Sequence, residues 1–491
     1  MEESNTRQFR DVKVFAILAA IIGVGFLFRA IPHLFLVPRW LIEEAYNYVT
    51  VRDLVLSGVS AQAGFYPMLE HQLIYAAWLV TRIDPVVLSQ YANPLLGALT
   101  AIPLYYLLKT KLTDRQALLG CGVWALSEAA YYRAAYFGST EALGFLMALT
   151  ALTLYAHKKP LLAFPVLAAA FYAHLLPAAF ISAVIIVHMF LSGTTKFRLL
   201  ALSAGAGVMG FLWSPLNPHQ RLLGSLSPAS LAQGAAASYS VGELGFGVAM
   251  FAGFAALGLA ALWGRVSSKN MLMDVYAAAA AGLFAFSWLS YQPNVFAPPR
   301  LTFYFLVPGI FYATKLGSTK VIALIMALSV VAAGVGTPTM LLTGHTMEAE
   351  EYAALDEITA MGIIKNPGWW LADYPATVNL SIYASNPGLW EKEIKPDSMI
   401  HKAEDIRNAT TTTKTVGNIT VVPFVYPFQY IYLSERMVRG GFFVEQTGGR
   451  ALHMVRPVAD IWGLDPENWE LVYDDHGVRV YHYRGIARAP V

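Results

Sequence analysis

The sequence has few charged residues and almost no cysteine. Of its 491 residues, 13% are charged and 56% are hydrophobic, whereas about a quarter of the residues of a soluble protein are charged. A soluble protein of this length needs a more polar surface than this composition provides, so we interpret the chain as an integral membrane protein. The single cysteine, Cys121, excludes a disulfide framework and a metal site built from cysteines.

Acidic residues are scarce in the first two thirds of the chain. Of the 32 Asp and Glu residues, 19 lie in residues 337–491, which leaves 13 for residues 1–336; the latter hold 21 of the 34 Lys and Arg residues. No basic stripe indicates nucleic-acid binding. This asymmetry predicts an apolar membrane domain over 1–336 and a more polar, acidic domain over 337–491.

Apolar runs that are long enough, or nearly long enough, to cross a membrane recur through the first domain. The first run follows a basic N-terminus and is interpreted as a membrane anchor, because it has no clear small-residue cleavage site. A tight turn at 174–177 separates two of the others. The predicted spans lie near 14–37, 91–108, 116–137, 142–156, 160–175, 177–192, 199–213, 246–264, 271–290, 301–316 and 321–336.

The segments between these runs alternate between basic and acidic, aromatic or neutral. Because basic loops stay in the cytoplasm, the pattern predicts about eleven spans, a cytoplasmic N-terminus and a C-terminal domain outside the cell membrane. Residues 67–81 are also apolar, but a crossing there would invert every later loop. We therefore predict long external segments at 38–90 and 214–245, with 67–81 lying against the membrane. The basic segments are 109–115, 157–159, 196–198, 265–269 and 315–320.

The C-terminal domain, 337–491, contains no run that could span a membrane. Alternating apolar and polar residues predict strands at Thr420–Val425, Tyr430–Ser434 and Val478–Tyr483, and residues 348–361 are predicted to form a helix. The composition indicates a mixed α/β domain. Three Asn-x-Ser/Thr triplets, beginning at Asn379, Asn408 and Asn418, suit an external location.

The few acids of the membrane domain are concentrated at its predicted external face. Carboxylates at membrane ends commonly bind cations or perform acid–base chemistry, and Mg²⁺ prefers oxygen ligands of this kind. The alternative interpretation is that they are ordinary solvated loop residues. Glu128 and Arg133, the main charges within spans, are interpreted as a structural pair. The external acids are Glu43, Glu44, Asp53, Glu70, Glu141 and Glu243.

Arg300 lies at the external end of a predicted span, in Pro298-Pro-Arg-Leu-Thr-Phe-Tyr. An arginine in this position can hold a phosphate through two hydrogen bonds, or it can extend its charged end to the interface. Acids, a cation and a phosphate-binding arginine on one membrane face indicate group transfer from a lipid-linked phosphate donor.

Five segments, in this order along the chain, resemble the motifs of one family. That family is the catalytic subunit of oligosaccharyltransferase, of the archaeal AglB and bacterial PglB type, a GT-C glycosyltransferase. The resemblance covers most of the chain and implies a polytopic α-helical GT-C membrane domain followed by an extracytoplasmic mixed α/β domain. The segments are Glu43-Glu-Ala-Tyr-Asn-Tyr, Arg133-Ala-Ala-Tyr-Phe-Gly-Ser-Thr-Glu-Ala, Ser240-Val-Gly-Glu, Arg300-Leu-Thr-Phe-Tyr and Trp369-Trp-Leu-Ala-Asp-Tyr-Pro.

The resemblance implies a role for each matched residue. The implied partners are a lipid-linked glycan donor, a polypeptide acceptor and the lipid bilayer, and the implied cofactor is Mn²⁺ or Mg²⁺. Glu70 and His71 are candidate additional ligands. The roles are catalysis by Glu43 or Glu44 with Glu243 and Arg300, metal binding by Glu43, Ser139 and Glu141, donor binding by Arg300 and Tyr304, and acceptor binding by Trp369, Trp370 and Glu243.

Three positions depart from the family's pattern. Glutamate replaces the catalytic aspartate of the first motif, and Ser139 and Leu371 replace aspartates of the second and fifth motifs. The leading hypothesis is metal-dependent transfer of a glycan from a polyprenyl or dolichyl (di)phosphate carrier to asparagine. The alternatives are a lipid-phosphate-dependent GT-C glycosyltransferase acting on a hydroxyl acceptor, and a non-catalytic paralogue or transporter.

Overall fold

A computed structural model defines the architecture. It describes residues 2–35, 69–131, 139–193, 251–290, 298–340 and 347–365, and a set of shorter C-terminal segments. For part of these residues the backbone alone is described, among them Ser139, Arg300 and Trp369. The C-terminal segments are 369–372, 376, 379–380, 383, 414–416, 419–421, 428–440, 442–445, 452–455 and 469–484.

The chain divides into two compact units, the first of which is helical. Its described residues form twelve helices and one short helical turn at 128–131. The helices are α1 (Glu2–Phe35), α2 (Leu69–Thr81), α3 (Pro85–Leu99), α4 (Ala101–Lys109), α5 (Asp114–Leu126), α6 (Ser139–Ala156), α7 (Pro160–Ala173), α8 (Leu175–Leu191), α9 (Ala252–Ser267), α10 (Met271–Ser290), α11 (Pro298–Lys315) and α12 (Thr319–Met340).

The helices pack around an apolar core while large apolar side chains also cover much of their outer surface. Leu104, Leu149 and Ile310 are fully buried, whereas Leu259, Trp263 and Val331 are more than half exposed. Two stretches, Val12–Phe35 and Thr319–Thr337, are long and apolar enough to cross a membrane; several shorter helices are also apolar. An apolar exterior of this kind is typical of a helix bundle surrounded by lipid.

One predicted span loses a single helical hydrogen bond and another is interrupted in the structure. The predicted run at 91–108 falls on α3 and α4, and the backbone of Thr100 between them is helical (φ −60°, ψ −19°). The carbonyl of Leu99 lacks its helical partner because Pro103 has no N–H to donate. The run at 116–137 is interrupted after α5, where Ser127 has an extended backbone (φ −65°, ψ 128°). Hydrophobicity alone does not predict the interruption at Ser127.

The two adjacent runs predicted within 160–192 form two separate helices, α7 and α8. The backbone of His174 is extended between them (φ −164°, ψ 128°). Helix α8 then runs back toward the end of α6. A 2.8 Å hydrogen bond between the Tyr155 hydroxyl and His188 Nδ1 shows that the two helix ends are neighbours. The prediction of two helices here, and not one, is confirmed.

Four basic helix–helix turns lie at one end of the bundle. His157 Nε2 donates to the carbonyl of Tyr106 at 3.0 Å, which joins the α6–α7 turn to the end of α4. Arg115 Nη2 donates to Thr319 Oγ1 at 3.5 Å, and Tyr312 Oη donates to the carbonyl of Asn270 at 3.2 Å. The α4–α5, α6–α7, α9–α10 and α11–α12 turns therefore share one end, hereafter the basic end.

The second unit is a small α/β domain. Its central sheet has the strand order β1-β4-β8-β7, with β1 parallel to β4 and the other neighbours antiparallel. Strands β2 and β3, and β5 and β6, form separate antiparallel pairs. The elements are α13 (Ala349–Ala360), β1 (Trp369–Leu371), β2 (Lys414–Val416), β3 (Ile419–Val421), β4 (Phe428–Ser434), α14 (Glu435–Gly440), β5 (Phe442–Glu445), β6 (Leu452–Val455), β7 (Trp469–Asp475) and β8 (Val478–Tyr483).

Helix α13 packs on the sheet through one apolar face, and an ion pair joins it to α14. Leu355 and Ile358 are fully buried with Ile431 and Leu433 of β4 in the domain core. Arg436 donates to both oxygens of Glu351, from Nε at 2.8 Å and from Nη2 at 3.2 Å. A two-oxygen pair of this geometry fixes orientation as well as charge.

The tight β7–β8 turn sets the register of that hairpin. His476 and Gly477 both have positive φ, 50° and 66°, as a two-residue type I′ turn requires. Gly477 also accepts a 2.7 Å hydrogen bond from the backbone N–H of Glu435. The predicted helix at 348–361 and the predicted strands at 430–434 and 478–483 agree with α13, β4 and β8.

Candidate functional site

The end of the bundle opposite the basic end brings together the starts and ends of several helices. Tyr172 Oη, in the last turn of α7, donates to Gln72 Oε1 in the first turn of α2 at 2.9 Å. Tyr131 Oη, in the short turn at 128–131, is 2.8 Å from Thr337 Oγ1 near the end of α12. Three buried acids lie at this end, hereafter the acidic end: Glu70, Glu128 and Glu141.

Glu141 and Tyr304 are in direct contact at the acidic end. Tyr304 Oη donates to Glu141 Oε1 at 2.9 Å, and the two side chains are 0% and 1% exposed respectively. Glu141 lies in the first turn of α6, in the second predicted motif, and Tyr304 lies on α11, in the fourth. The fold therefore joins two predicted motifs that are 163 residues apart.

An aromatic cluster holds the Tyr304 ring in place. Phe180 of α8 packs against it with 4.7 Å between ring centroids, and Phe145 of α6 packs edge-on at 5.8 Å. Phe180 also packs edge-on against Tyr276 of α10 at 5.0 Å. Because these rings exclude water, the hydrogen bond from Tyr304 to Glu141 is electrostatically stronger than it would be at the surface.

Two further predicted site residues lie on the same helices as this pair. Arg300 is in the first turn of α11, one turn before Tyr304, and Ser139 is the first residue of α6, two positions before Glu141. Residues four apart on a helix lie on the same face. The backbone therefore brings the second and fourth motifs to the same end of the bundle.

Glu70 and His71 lie in the first turn of α2 and are buried, at 2% and 1% exposure. The neighbouring Gln72 accepts the hydrogen bond from Tyr172, which fixes this turn beside the end of α7. Both residues thus lie at the acidic end. Their role as additional ligands remains a prediction.

Glu128 connects the end of α5 to the start of α9. Its Oε1 accepts a hydrogen bond from the backbone N–H of Phe254, in the first turn of α9. The Ser329 hydroxyl and the backbone of Gly253 also face this carboxylate. A carboxylate at a helix N-terminus satisfies an otherwise unpaired N–H and interacts favourably with the helix dipole. Arg133, the partner predicted from the sequence, lies outside the described residues.

Arg29 is a buried charge that the sequence did not indicate as important. It is 0% exposed, and its guanidinium donates to the carbonyls of Gly25, Trp124 and Ala125 at 2.8–2.9 Å. Trp124 and Ala125 lie in the last turn of α5, so Arg29 caps the negative end of that helix. Its position inside the predicted span 14–37 was the signal that could have identified it, because a charge within a span needs a partner.

The tryptophan pair of the fifth motif is in strand β1 of the second unit. Trp370 is 1% exposed and stacks on Tyr430 of β4, with 4.5 Å between centroids and 14° between ring planes. For Trp369 the backbone is described, and it pairs with Phe428. Trp370 is therefore part of the domain core, and acceptor binding by the pair remains a prediction.

One group of potential metal ligands in the second unit was not predicted. Ligand atoms of Glu357, Asp475 and His476 all lie within 4.8 Å of one another on an exposed surface. Glu357 accepts hydrogen bonds from Tyr473 Oη at 2.9 Å and from His476 Nε2 at 3.1 Å. Burial, and then the bond to Glu357, raise the pKa of Tyr473. These contacts are those of a surface hydrogen-bond network, and the Asp-Asp-His-Gly turn was its sequence signal.

Three of the predicted site residues lie outside the described residues. They are Glu43, Glu44 and Glu243.

Known proteins match this chain by structure and not by sequence. No protein-family model matches it, and no curated protein matches its sequence. The oligosaccharyltransferase of Archaeoglobus fulgidus, tethered to an acceptor peptide containing the NVT sequon, matches with a TM-score of 0.53 and 11% identity over 87% of this chain and 70% of that chain. The same protein in complex with Zn and sulfate matches with a TM-score of 0.50 and 12% identity, over 86% and 68%.

A second kind of glycosyltransferase matches as well. The arabinofuranosyltransferase AftD from Mycobacteria has a TM-score of 0.54 and 13% identity, over 96% of this chain and 40% of that chain. At these identities the similarity establishes the fold. The chain shares the fold of these two glycosyltransferases.

The shared fold confirms the resemblance that the five motifs indicated. The acidic end is the candidate functional site, since the second and fourth motifs are in contact there through Glu141 and Tyr304. The roles of the individual residues remain predictions.

Proposed function

We propose that this protein is a membrane-embedded glycosyltransferase that transfers a glycan from a polyprenyl or dolichyl (di)phosphate carrier to asparagine of an external polypeptide. The hydrogen bond between Tyr304 and Glu141 carries the proposal, because it unites an acid of the second motif with the helix that bears Arg300. In this proposal the acidic end faces outward and the basic end faces the cytoplasm.

The reaction exchanges one bond at the anomeric carbon of the sugar. A C–N bond to the asparagine amide forms as the C–O bond to the phosphate breaks. The phosphate leaves with the bonding electrons and the amide nitrogen releases a proton to water. In the proposed site Glu43 and Glu243 accept hydrogen bonds from the amide, and Arg300 neutralises the departing phosphate. Such stabilisation of developing charge is usually the largest catalytic term.

Glu141 is a suitable ligand for the divalent cation that the proposal requires. Carboxylate oxygens are the ligands that Mg²⁺ and Mn²⁺ prefer, and the hydrogen bond from Tyr304 fixes the orientation of this carboxylate, as a supporting contact does in metal sites. Glu43, Ser139 and Glu141 are the proposed ligands. A divalent cation held there would supply Lewis-acid stabilisation of the phosphate. The structure of the Archaeoglobus fulgidus protein in complex with Zn and sulfate supports a divalent cation as a ligand of a protein with this fold.

A hydroxyl acceptor is the second candidate. The similarity to an arabinofuranosyltransferase covers 96% of this chain, and Leu371 stands where the asparagine-modifying family has an aspartate. Trp370 of the same motif is buried against Tyr430. These observations favour the same donor chemistry with a sugar or lipid hydroxyl as acceptor.

The test supplies the purified protein with a lipid-linked oligosaccharide, Mn²⁺ or Mg²⁺ and an Asn-x-Thr peptide, and follows glycopeptide by mass spectrometry. Product is expected from the wild type, and Glu43→Gln, Glu141→Gln and Arg300→Ala are each expected to reduce the rate by about a hundredfold or more. Tyr304→Phe should reduce it about tenfold, since it removes one supporting hydrogen bond.

Tyr276→Phe is the matched control, because Tyr276 is a buried tyrosine of the same aromatic cluster whose hydroxyl has no hydrogen bond within the described residues. Its rate should stay at the wild-type value. Transfer to a hydroxyl acceptor and not to the peptide would establish the second candidate. Retained activity in Glu43→Gln would move the acceptor role to Glu44, and folded wild type that transfers to neither acceptor would exclude both functions.

A further inference from the structure

In the described residues of its four turns and the adjoining helix ends, the basic end of the bundle carries more cations than acids. Two acids lie among its four turns, Asp114 and Asp274. Asp114 forms an ion pair with Lys109 and accepts a 2.6 Å hydrogen bond from Tyr105. Asp274 likewise pairs with Arg265 and accepts a hydrogen bond from Tyr312. Each acid thus forms an ion pair with one cation and accepts a hydrogen bond from one tyrosine.

Six further cations at this end are exposed, and together they form a basic rim. Lys111, Lys158 and Lys159 form a cluster within it, because the bond from His157 to the Tyr106 carbonyl holds the α6–α7 turn beside the end of α4. The bond from Arg115 to Thr319 similarly brings Arg115 beside Lys320 at the start of α12. The rim consists of Lys111, Arg115, Lys158, Lys159, Lys269 and Lys320.

Exposed apolar side chains lie next to these cations in the chain. Leu161 and Leu162, 76% and 58% exposed, follow Lys158 and Lys159 directly after the turn. Trp263 and Val266, 74% and 86% exposed, precede Lys269 by one to two helical turns. A soluble acidic partner needs the charges alone, whereas a phospholipid offers a phosphate for the lysine and an acyl chain for the adjacent leucine.

We propose that the basic rim is a binding surface for anionic phospholipid headgroups of the leaflet at that end. The inference rests on the membrane location given under the proposed function, and it is independent of the reaction catalysed. A basic residue near an anionic lipid surface contributes on the order of a fivefold gain in affinity at physiological salt. The Lys111, Lys158 and Lys159 cluster is the part of the rim where one headgroup can meet several cations.

The experiment compares binding of fluorescent phosphatidylglycerol and phosphatidylcholine, with matched acyl chains, to the full chain in detergent. The wild type should prefer phosphatidylglycerol, and the preference should fall as salt is raised. The triple variant K111Q/K158Q/K159Q should lose on the order of fivefold in phosphatidylglycerol affinity per lysine, with phosphatidylcholine binding unchanged. The charge-preserving K111R/K158R/K159R is the matched control and should keep the preference.

The variant L161S/L162S separates a lipid from a soluble polyanion. It should weaken phosphatidylglycerol binding and leave heparin binding unchanged, because only the lipid has an acyl chain. Equal affinity of the wild type for the two lipids, or an unchanged preference in the triple glutamine variant, would overturn the proposal. So would an unchanged phosphatidylglycerol affinity in L161S/L162S. If the glutamine variant does not fold, salt titration of the wild type tests the proposal instead. A preference for phosphatidylglycerol that does not change with salt would also overturn the proposal.

Discussion

At the scale of single residues, two buried charges hold the acidic end together. Arg29 donates to the carbonyls at the end of α5, and Glu128 accepts from an N–H at the start of α9. Each charge lies at the helix terminus of opposite polarity. Buried charges are costly without partners, so both are expected to be sensitive to substitution even though neither lies in a predicted motif.

Arg29→Met is predicted to destabilise the protein by about 3 kcal/mol, because it leaves the buried carbonyls of Trp124 and Ala125 without their donor. Arg29→Lys should recover only part of this loss, since an ammonium group lacks the planar fork that reaches both carbonyls. Denaturant unfolding in detergent, followed by tryptophan fluorescence, measures the change. Lys13→Met, an exposed position on the same helix, is the control and should have little effect. Equal stability of the two methionine variants would show that the Arg29 contacts contribute nothing.

At the scale of elements, close approach of helices depends on glycine at a few positions. A Cβ added at Gly264 of α9 would lie 2.1 Å from the carbonyl oxygen of Tyr312 on α11, whereas one added at Gly258 of the same helix meets nothing within 4 Å. The backbones of α9 and α11 therefore touch where Tyr312 reaches Asp274 and the α9–α10 turn.

Gly264→Ala is predicted to lower the free energy of unfolding by roughly 2 kcal/mol, because backbone atoms must move to accommodate the methyl group. Gly258→Ala should instead be neutral or stabilise by up to about 1 kcal/mol, since alanine has the higher helix propensity. The same unfolding assay compares the two variants. A stable Gly264→Ala protein would mean that α9 and α11 are further apart than the structure has them.

The sequence was sufficient to predict most of these elements but not the contacts between them. Long apolar runs predicted α10, α11 and α12, and alternation predicted β4 and β8, because both signals are local. The interruption at Ser127 and the capping by Arg29 depend on partners nearly a hundred residues away in the chain. The same holds for the candidate site: motifs identified Glu141 and Arg300 separately, and only the fold brings Tyr304 to Glu141.

At the scale of the whole molecule, the two ends of the bundle differ in chemistry. One end gathers four basic turns and the other gathers Glu70, Glu128 and Glu141. The contacts that define each end are independent of the rule that basic loops stay in the cytoplasm. Together with the proposed function, these observations predict one orientation in the membrane, with the basic end in the cytoplasm and the C-terminal domain outside.

The orientation can be tested by cysteine labelling, because the chain has a single cysteine and that cysteine is buried. K159C and K269C introduce thiols at two different basic turns, and R484C introduces one at an exposed position of the second unit. Cys121 is 0% exposed and should stay unlabelled until the protein is denatured. A membrane-impermeant maleimide is expected to label R484C in intact cells, and K159C and K269C only after the membrane is permeabilised.

The pattern of labelling distinguishes an error of orientation from an error of fold. The reverse result, with both lysine positions labelled in intact cells and R484C protected, would mean that the orientation is inverted while the bundle is correct. Labelling of K159C and K269C from opposite sides would contradict the bundle itself, because the hydrogen bonds of His157, Arg115 and Tyr312 place those turns together. Agreement of the two lysine positions is therefore the stricter requirement, since it depends on contacts within the structure and not on the rule for basic loops.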